Sequence, residues 1–549
     1  MFIIAIFICL ISFAQTSNQI AIVPQPVQLE QKQGYFTLPQ NITIQTVETT
    51  DLKQTVVDLQ KKLSVATGYK TTISSNAPAA VIKLELNKTE NATIGNEGYT
   101  LSVTPKNITI KANKPAGIFY GAQTLMQLFP AEIEDSILVK HIEWKAPCVE
   151  ITDYPRFEWR GLMLDVARHF FTKKEVEAYI DQMSKYKFNI LHLHLTDDEG
   201  WRIEIKSLPK LTSVGACRVY KVGEFGSFAP PAPNEPRTDC GFYTQDDIKE
   251  MVQYAKERFI NILPEIDVPG HSLAAIAAYP ELSCSGGVKN IGVASGEEIK
   301  DWDTHTAIYD DNLCPANENV YDFLDKVLTE VAALFPFDYI HMGGDETFKT
   351  FWKSSDAVTA LMQKENLKTY EEVQSYFEKR LEKIVESKGK KFMGWDEILE
   401  GGIGPDAAVM SWRGAHDGVA AAGATANADG GTVAAKMGHT VVMSPTQYVY
   451  LDYMQSDRIM EPHVYASLRL NKVYSYDPMP AGLTNNEQKY VLGAQGNLWT
   501  EQVYTFRQAE YMTWPRAFAI AEDTWSPKEN KNWDDFVRRT EAQFNRFDI

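Results

Sequence analysis

From Trp159 onward, short apolar runs alternate with longer segments of helical spacing, and this alternation limits the fold more than any other feature. It is typical of a parallel sheet whose strands are joined by helices. The runs occupy residues 159–166, 189–197, 260–267, 338–346, 390–397, 407–412, 439–445 and 491–497. Eight such strands predict an α/β fold, a (β/α)8 TIM barrel, which we place at residues 151–549.

The preceding residues have a different pattern. Segments such as FTLPQNITIQTV, AVIKLEL and YTLSVTP alternate apolar and polar residues and are rich in Thr, Ile and Val. They predict strands of a mixed sheet, while residues 51–67 and 117–129 have helical spacing. We therefore expect a smaller α+β domain at residues 19–150, and we find no cluster of catalytic residue types in it.

The first residues, MFIIAIFICLISFA, are apolar but too few to span a bilayer, which takes about 20 residues. Ser12-Phe13-Ala14 offers a small–x–small cleavage site. We interpret residues 1–18 as a signal peptide and expect a secreted or periplasmic protein; the alternative is a buried N-terminal strand. No other stretch is apolar enough to predict a transmembrane span.

The net charge, the cysteine count and the motifs limit the classes of partner, disulfide bond and cofactor that are expected. Lys+Arg is 54 and Asp+Glu is 72, so the net charge is −18, which argues against broad binding to nucleic acid or anionic membrane. Without Cys9, five cysteines remain, an odd number, and Cys217–Cys240 and Cys284–Cys314 are possible bridges that sequence alone leaves open. No dinucleotide fingerprint, phosphate loop or zinc-ligand spacing is present, so we expect no cofactor and no metal.

Carboxylates and aromatic residues follow the apolar runs. In a TIM barrel the carboxyl ends of the strands form the active site, so these residues should meet at one rim. Tryptophan faces stack on the apolar faces of sugar rings, and carboxylates accept hydrogen bonds from hydroxyls. The pattern predicts a sugar pocket, with these candidate residues: Asp165, Arg168, His169, Asp197, Asp198, Glu265, Asp267, His271, Asp345, Glu346, Trp395, Asp396, Glu397, Trp412, Arg413, Tyr450, Asp452, Trp499 and Glu501.

Several of these residues have a plainer structural interpretation. Asp165 and Glu265 are equally consistent with polar residues that line a barrel. His192 and His194 lie on one face of a strand, and we favour packed histidines there over ligands of a metal site that would include Asp197.

Two adjacent acids are the strongest indication of a catalytic site. Asp345 and Glu346 follow Gly343-Gly344, and glycines allow backbone and ligand to approach closely. Adjacent acids repel each other, so one tends to hold a proton near neutral pH. The alternative is a pair of exposed loop acids without a catalytic role.

The chain resembles the family 20 glycoside hydrolases, the β-N-acetylhexosaminidases, over nearly all of its length after the leader. Many separate motifs in the family's order carry the resemblance: IVPQPV (22–27), GIFYGAQTL (117–125), RGLMLDVARHF (160–170), LHLHLTDDEGWR (191–202), PEIDVPGH (264–271), HMGGDE (341–346), GWDE (394–397), YLD (450–452) and NLWTE (497–501). One residue differs from the family's motifs: Glu199 stands where the family usually has glutamine.

The resemblance implies a reaction in which the substrate's own 2-acetamido oxygen attacks the anomeric carbon, an exception to the usual pair of flanking carboxylates. Glu346 would act as general acid and then as general base. Asp345 would accept the acetamido N–H and balance the developing positive charge, and Tyr450 would hydrogen-bond the acetamido oxygen.

The resemblance also implies roles for the surrounding residues. Asp197 and His271 would form a polar relay beside Glu346, and Asp267 would brace this region. A tryptophan box around the acetamide and sugar ring would consist of Trp395, Trp412 and Trp499. The outer hydroxyls would be held by Arg168, Asp452 and Glu501.

We therefore expect an exo-acting β-N-acetylhexosaminidase that removes terminal N-acetylglucosamine or N-acetylgalactosamine from oligosaccharides or glycoconjugates. Two alternatives stay open from sequence: a non-catalytic sugar-binding barrel, and a variant that releases disaccharides through an open cleft. The intact Asp345-Glu346 pair and Tyr450 weigh against the first of these.

Overall fold

The structure is a computed structural model. It describes residues 20–46, 50–229, 231–232, 234–285, 292–296, 299–301, 306–307, 311–414, 430–457, 459–461, 464 and 466–547. The predicted signal peptide at residues 1–18 lies outside the described residues. An Ala- and Gly-rich stretch, for which the sequence predicts a helix and a loop, runs from residue 415 to 431, and only Gly430 and Gly431 of it are described. Within the described ranges, no helix is both long and apolar enough to cross a membrane.

Eight parallel strands close into a barrel, which confirms the predicted TIM-barrel fold. The strands are Trp159–Asp165, Ile190–His194, Asn261–Glu265, Tyr339–His341, Lys391–Trp395, Ala408–Ser411, Val441–Met443 and Val491–Leu498. Each strand pairs with the next in sequence, and the eighth pairs in parallel with the first, Gly493 opposite Trp159 and Leu498 opposite Leu164. The strands read as continuous apolar runs because a ring of helices covers their outer face.

Helices connect the strands and form the outer layer. Capping boxes of Thr172 with Glu175 and of Thr244 with Asp247 fix the first turns of the helices after strands one and two. The α-helices of this part of the chain are Lys173–Lys185, Lys210–Ser213, Gln245–Lys256, Leu273–Ala278, Glu318–Leu334, Thr350–Lys353, Asp356–Glu365, Tyr370–Ser387, Gly430–Met437, Thr446–Val449, Leu470–Tyr474, Asn485–Gln488, Phe506–Thr513, Arg516–Trp525 and Trp533–Phe547.

A seven-stranded mixed sheet forms the smaller α+β domain that precedes the barrel. Its strands are Gln28–Thr37, Asn41–Thr46, Lys70–Ser74, Ile82–Leu86, Tyr99–Val103, Ile108–Ala112 and Lys145–Asp153. Helices Lys53–Val65 and Pro115–Leu128 correspond to the two predicted helical segments and bury their apolar residues in the core of this domain. The last strand runs to Asp153, three residues beyond the boundary we placed at residue 150.

Two disulfide bonds tie loops that leave the barrel. Cys217 and Cys240 pair across a two-stranded hairpin, and Cys284 pairs with Cys314. Cys148 is a free, buried cysteine in the last strand of the sheet. Both of the bridges that the sequence left open are therefore present in the structure.

Asp153 joins the two domains through a fully buried ion pair. One of its oxygens accepts hydrogen bonds from Lys187 Nζ, at 2.8 Å, and from the Tyr99 hydroxyl, at 2.6 Å. The other accepts from the indole N–H of Trp525, at 2.9 Å. Burial lowers the pKa of Lys187, although Asp153 opposes that shift. Because neither charge reaches water, the stability of each charge in the interior depends on the presence of the other.

We expect Asp153→Ala to lower the free energy of unfolding by about 3–5 kcal/mol, because it leaves Lys187 without a counter-charge in the interior. The matched control is Asp338→Ala, which removes a mostly exposed carboxylate 3.9 Å from Lys391. The control should cost no more than about 0.5 kcal/mol. Urea denaturation of both variants measures the difference, and equal shifts would contradict the assignment.

Candidate active site

The predicted site residues all lie in, or shortly after, the carboxyl ends of barrel strands. The barrel gathers them because parallel strands present their carboxyl ends on one face, as anticipated for this fold. The candidates to which the resemblance gives a role are Arg168, Asp197, Asp267, His271, Asp345, Glu346, Trp395, Trp412, Tyr450, Asp452, Trp499 and Glu501.

The loop after the fourth strand carries the two adjacent acids, and we call residues 342–349 the acid loop. Its backbone is left-handed at Gly343 (φ 65°), Gly344 (φ 97°) and Glu346 (φ 41°). A Cβ on Gly343 would lie 1.6 Å from Asp267 Oδ1, so only glycine fits there. Asp267 Oδ1 also accepts a hydrogen bond from the Gly344 N–H at 3.3 Å, which places this side chain directly against the acid loop.

His271 lies between the acid loop and Asp197. Its Nε2 is 3.5 Å from Glu346 Oε2 and 3.7 Å from Asp345 Oδ2, and its Nδ1 is 3.1 Å from Asp197 Oδ1. Burial disfavours the imidazolium, but Asp197 and Glu346 outweigh it and raise the pKa of His271 well above its ordinary value. His271 is therefore a cation beside both acids near neutral pH.

The two acids occupy different environments. The Asp345 side chain is 10% exposed, whereas that of Glu346 is 36% exposed. Burial raises the pKa of Asp345 to about 6, against the opposing charge of His271. Neighbouring carboxyls, including Glu346, add to the increase. The environments thus differ although the residues are adjacent.

Below these acids, His194 bridges two buried carboxylates. Its Nε2 is 2.9 Å from Asp197 Oδ2 and its Nδ1 is 2.5 Å from Glu265 Oε2. Burial opposes the charged form, but Glu265 and Asp197 raise the pKa of His194 well above its ordinary value. Both ring nitrogens are thus engaged with protein groups, as expected for a packed histidine.

The second histidine of this strand, His192, is also held by protein groups. Its Nδ1 accepts a hydrogen bond from Gln495 at 2.9 Å, and burial lowers its pKa to about 4. Glu265 lies 3.0 Å from its Nε2, and the other oxygen of Glu265 accepts from the indole N–H of Trp395 at 2.9 Å. Glu265 therefore orients one of the predicted box tryptophans from inside the barrel.

Arg168 is surrounded by carboxylates. The nearest is Asp197, 2.8 Å from Nη2, and the others lie within 4.0 Å of the guanidinium: Asp165, Glu199 and Glu501. Burial alone would lower the pKa of Arg168, but Asp197 and Glu501 hold it well above its ordinary value. The guanidinium carbon lies 5.0 Å above the Trp499 ring, which links the charged cluster to the aromatic residues.

The aromatic residues form a continuous wall. Trp412 and Tyr450 stack with ring centroids 6.2 Å apart and planes 21° from parallel. Tyr450 and Trp395 each contact Trp499, at centroid distances of 6.4 Å and 5.7 Å. The structure therefore brings together the predicted box tryptophans and the tyrosine.

Asp452, two residues beyond Tyr450, is a buried carboxyl. Burial and the nearby Glu501 raise the pKa of Asp452 well above its ordinary value. Arg516, fully buried, donates to the carbonyls of Leu451 and Tyr453 on either side of Asp452. The carboxyl of Asp452 is thereby held beside Glu501 and within the field of Arg168.

Sequence reasoning assigned no role to three residues that support this wall and loop. Glu397 Oε2 accepts the indole N–H of Trp412 at 2.9 Å, Arg516 donates to the carbonyls on either side of Asp452, and Gln374 contacts the acid loop. Glu397 is among the predicted pocket residues because it ends the fifth apolar run, but its contact with Trp412 emerges only from the structure. Arg516 and Gln374 lie on outer helices, where strand-end reasoning gives no signal.

The comparisons agree with this geometry. The family model "Glycosyl hydrolase family 20, catalytic domain" matches residues 157–528, and "Glycosyl hydrolase family 20, domain 2" matches residues 19–154. A β-hexosaminidase of Porphyromonas gingivalis is 39% identical over 96% of this chain, which spans 63% of that relative's length.

Solved structures are similar over both domains. The Streptomyces plicatus N-acetyl-β-hexosaminidase has a TM-score of 0.81 and 30% identity, covering 97% of this chain and 95% of that one. The exo β-N-acetylglucosaminidase of Vibrio harveyi has a TM-score of 0.81 and 32% identity, covering 96% and 77%. With its catalytic-domain match over most of the barrel, the chain belongs to glycosyl hydrolase family 20.

Proposed function

We propose that this protein is an exo-acting β-N-acetylhexosaminidase that hydrolyses terminal, non-reducing β-linked N-acetylglucosamine or N-acetylgalactosamine with retention. One observation carries the proposal: Asp345 and Glu346 share a strained loop, and the cationic His271 lies within 3.7 Å of both. Two acids in this arrangement suit a substrate that supplies its own nucleophile.

Adjacent acids are poorly placed to flank a sugar from opposite faces, as the usual retaining mechanism requires. The 2-acetamido oxygen of the substrate replaces the missing nucleophile and bonds to the anomeric carbon as the glycosidic bond breaks. Asp345, once ionised, accepts the acetamido N–H and balances the positive charge that develops on this group. Burial strengthens that interaction because water does not screen it.

Glu346 protonates the departing oxygen and then takes a proton from the water that opens the intermediate. Its partial exposure allows the leaving group and the water to reach it. His271 provides a positive charge 3.5 Å from Glu346 and is itself held by Asp197, so the charge is fixed in place.

The remaining residues hold the sugar. The wall of Trp395, Trp412 and Trp499 offers stacking faces to the ring and the acetamido methyl, and Tyr450 donates to the acetamido oxygen. Charged groups bind the outer hydroxyls: Arg168, Asp452 and Glu501.

The names of relatives support the class of substrate. One relative is an N,N'-diacetylchitobiase of Vibrio harveyi, and one solved structure is an exo β-N-acetylglucosaminidase in complex with N-acetylglucosamine. We propose that this chain acts on oligosaccharides or glycoconjugates with such termini. We also propose that the protein is secreted or periplasmic, because residues 1–18 have the pattern of a signal peptide.

The direct test compares two aryl glycosides, 4-nitrophenyl β-N-acetylglucosaminide and 4-nitrophenyl β-glucoside. Cleavage of the first and not the second is expected, because only the first carries the acetamido nucleophile. Comparable cleavage of the glucoside would contradict the substrate-assisted mechanism. Binding of the first without product release would contradict catalysis. Disaccharide as the initial product from chitotetraose, with no N-acetylglucosamine and trisaccharide, would contradict removal of single terminal residues.

We expect Glu346→Gln to lower kcat by about 10²–10⁴-fold, the usual contribution of general acid–base catalysis. The loss in the first step should be smaller for a dinitrophenyl leaving group, which departs without protonation. The control is Glu365→Gln, which changes an exposed glutamate at the end of the helix Asp356–Glu365. Equal losses with good and poor leaving groups would contradict the role of Glu346.

Asp345→Asn should raise the activation barrier by about 3 kcal/mol, the size typical of a charge-stabilising contact at a transition state. The amide is isosteric but carries no charge to balance the oxazolinium-like intermediate. Steady-state kcat on 4-nitrophenyl β-N-acetylglucosaminide measures this, with the fold confirmed by an unchanged melting temperature. Near-normal turnover would show that Asp345 has another role.

The pH dependence of kcat/KM should have an acidic limb with an apparent pKa near 6, because Asp345 must be ionised and its pKa is about 6. Activity is therefore lost as the pH falls through that value. His271 lowers the pKa of Asp345, so His271→Gln should move the limb to higher pH. A shift to lower pH in that variant would contradict the assignment.

A further inference from the structure

The helix Tyr370–Ser387 packs behind the acid loop, and its residue Gln374 is hydrogen-bonded to this loop. The side-chain Nε2 of Gln374 donates to the Gly344 carbonyl at 2.7 Å, and its Oε1 accepts from Lys349 Nζ. Gly344 precedes Asp345 and Glu346, and Lys349 follows them. One buried amide therefore contacts the acid loop on both sides of the two acids.

The orientation of this amide is determined by its neighbours. Nε2 donates a second hydrogen bond to Glu378 Oε1, at 2.7 Å, so the nitrogen faces two acceptors. The oxygen faces the Lys349 ammonium, which has no acceptor to offer. A flipped amide would direct N–H groups at a cation and an oxygen at two oxygens, so only one orientation satisfies all the contacts.

The acid loop needs such support because its conformation is costly. Glu346 has a left-handed backbone, which an L-residue adopts only when its surroundings impose it. The loop and helix are also tightly packed, since a Cβ on Gly344 would lie 2.9 Å from Ile398 and 3.4 Å from Glu378 Oε1. The hydrogen bonds from Gln374 therefore reach the acid loop next to its strained residues.

We propose that Gln374 is a positioning residue for the hydrolysis reaction: its amide spans the acid loop and fixes the directions in which Asp345 and Glu346 point. The proposal rests on the function proposed above. Gln374 itself touches no reacting atom and acts through the loop. Displacement of a catalytic group by about 1 Å can lower a rate by about 10²-fold, so a fixed loop matters for turnover.

The test variant is Gln374→Met, which keeps the side-chain length but removes every hydrogen bond. We expect kcat on 4-nitrophenyl β-N-acetylglucosaminide to fall by about 10–100-fold. KM should change less than about 3-fold, because the residues that hold the sugar lie on other strands. The fall should be larger with N,N'-diacetylchitobiose, whose poor leaving group depends more on a correctly directed Glu346.

The matched control is Ser375→Ala, one residue further along the helix. Ser375 is equally buried, but it donates to the carbonyls of Gly401 and Gly402 in a different loop. This variant should lower the melting temperature without lowering kcat. If Gln374→Met falls no further in kcat than Ser375→Ala does, Gln374 is only structural and the proposal is overturned.

Two further measurements test whether Gln374 restrains the acid loop. Lys349→Met removes one of the two loop contacts and should give a smaller fall in kcat than Gln374→Met. Hydrogen–deuterium exchange of the peptide at residues 343–349 should be faster in Gln374→Met than in Ser375→Ala, and unchanged exchange would overturn the proposal. Exchange needs no substrate, so if the wild type cleaves no N-acetylhexosaminide, the proposed function fails while exchange still decides the role of Gln374.

Discussion

The site depends on one buried carboxylate, Asp197, which binds three cationic groups at the mouth of the barrel. Its oxygens lie 2.8 Å from Arg168, 2.9 Å from His194 and 3.1 Å from His271. Burial would favour the neutral acid, but Arg168 and His271 reverse this and hold the pKa of Asp197 well below its ordinary value. Each of these charges is stable in the interior because the others are present. Through Asp197, the side chains of Arg168 and His271 are fixed relative to each other.

Two acids that are adjacent in sequence lie in different environments, which suits the two roles proposed for them. Asp345 is buried and its pKa is raised, which suits a group that must be dry and charged when positive charge develops. Glu346 is more exposed, which suits proton exchange with a leaving group and with water. The left-handed turn of the acid loop produces this difference, since it directs neighbouring side chains into different surroundings.

The fold, and the set of residues that meet at the mouth of the barrel, could be predicted because both follow from local pattern. Apolar runs identify the strands, and the barrel then brings the residues at their carboxyl ends together, so Asp197 and Tyr450 could be named without coordinates. The same reasoning does not predict which residues of the outer helices hydrogen-bond to the loops of the site. Gln374 and Arg516 are ordinary helical residues by pattern, and only packing shows that one holds the acid loop and the other the backbone around Asp452.

The contact between Trp525 and Asp153 has a consequence for synthesis. The two residues are 372 positions apart, and Asp153 is also bound to Lys187. During translation, a nascent chain that already contains Asp153 and Lys187 lacks the indole that completes their enclosure until nearly the whole polypeptide has left the ribosome. The buried ion pair between the domains is thus completed only after all eight barrel strands have been synthesised, since the last of them ends at Leu498.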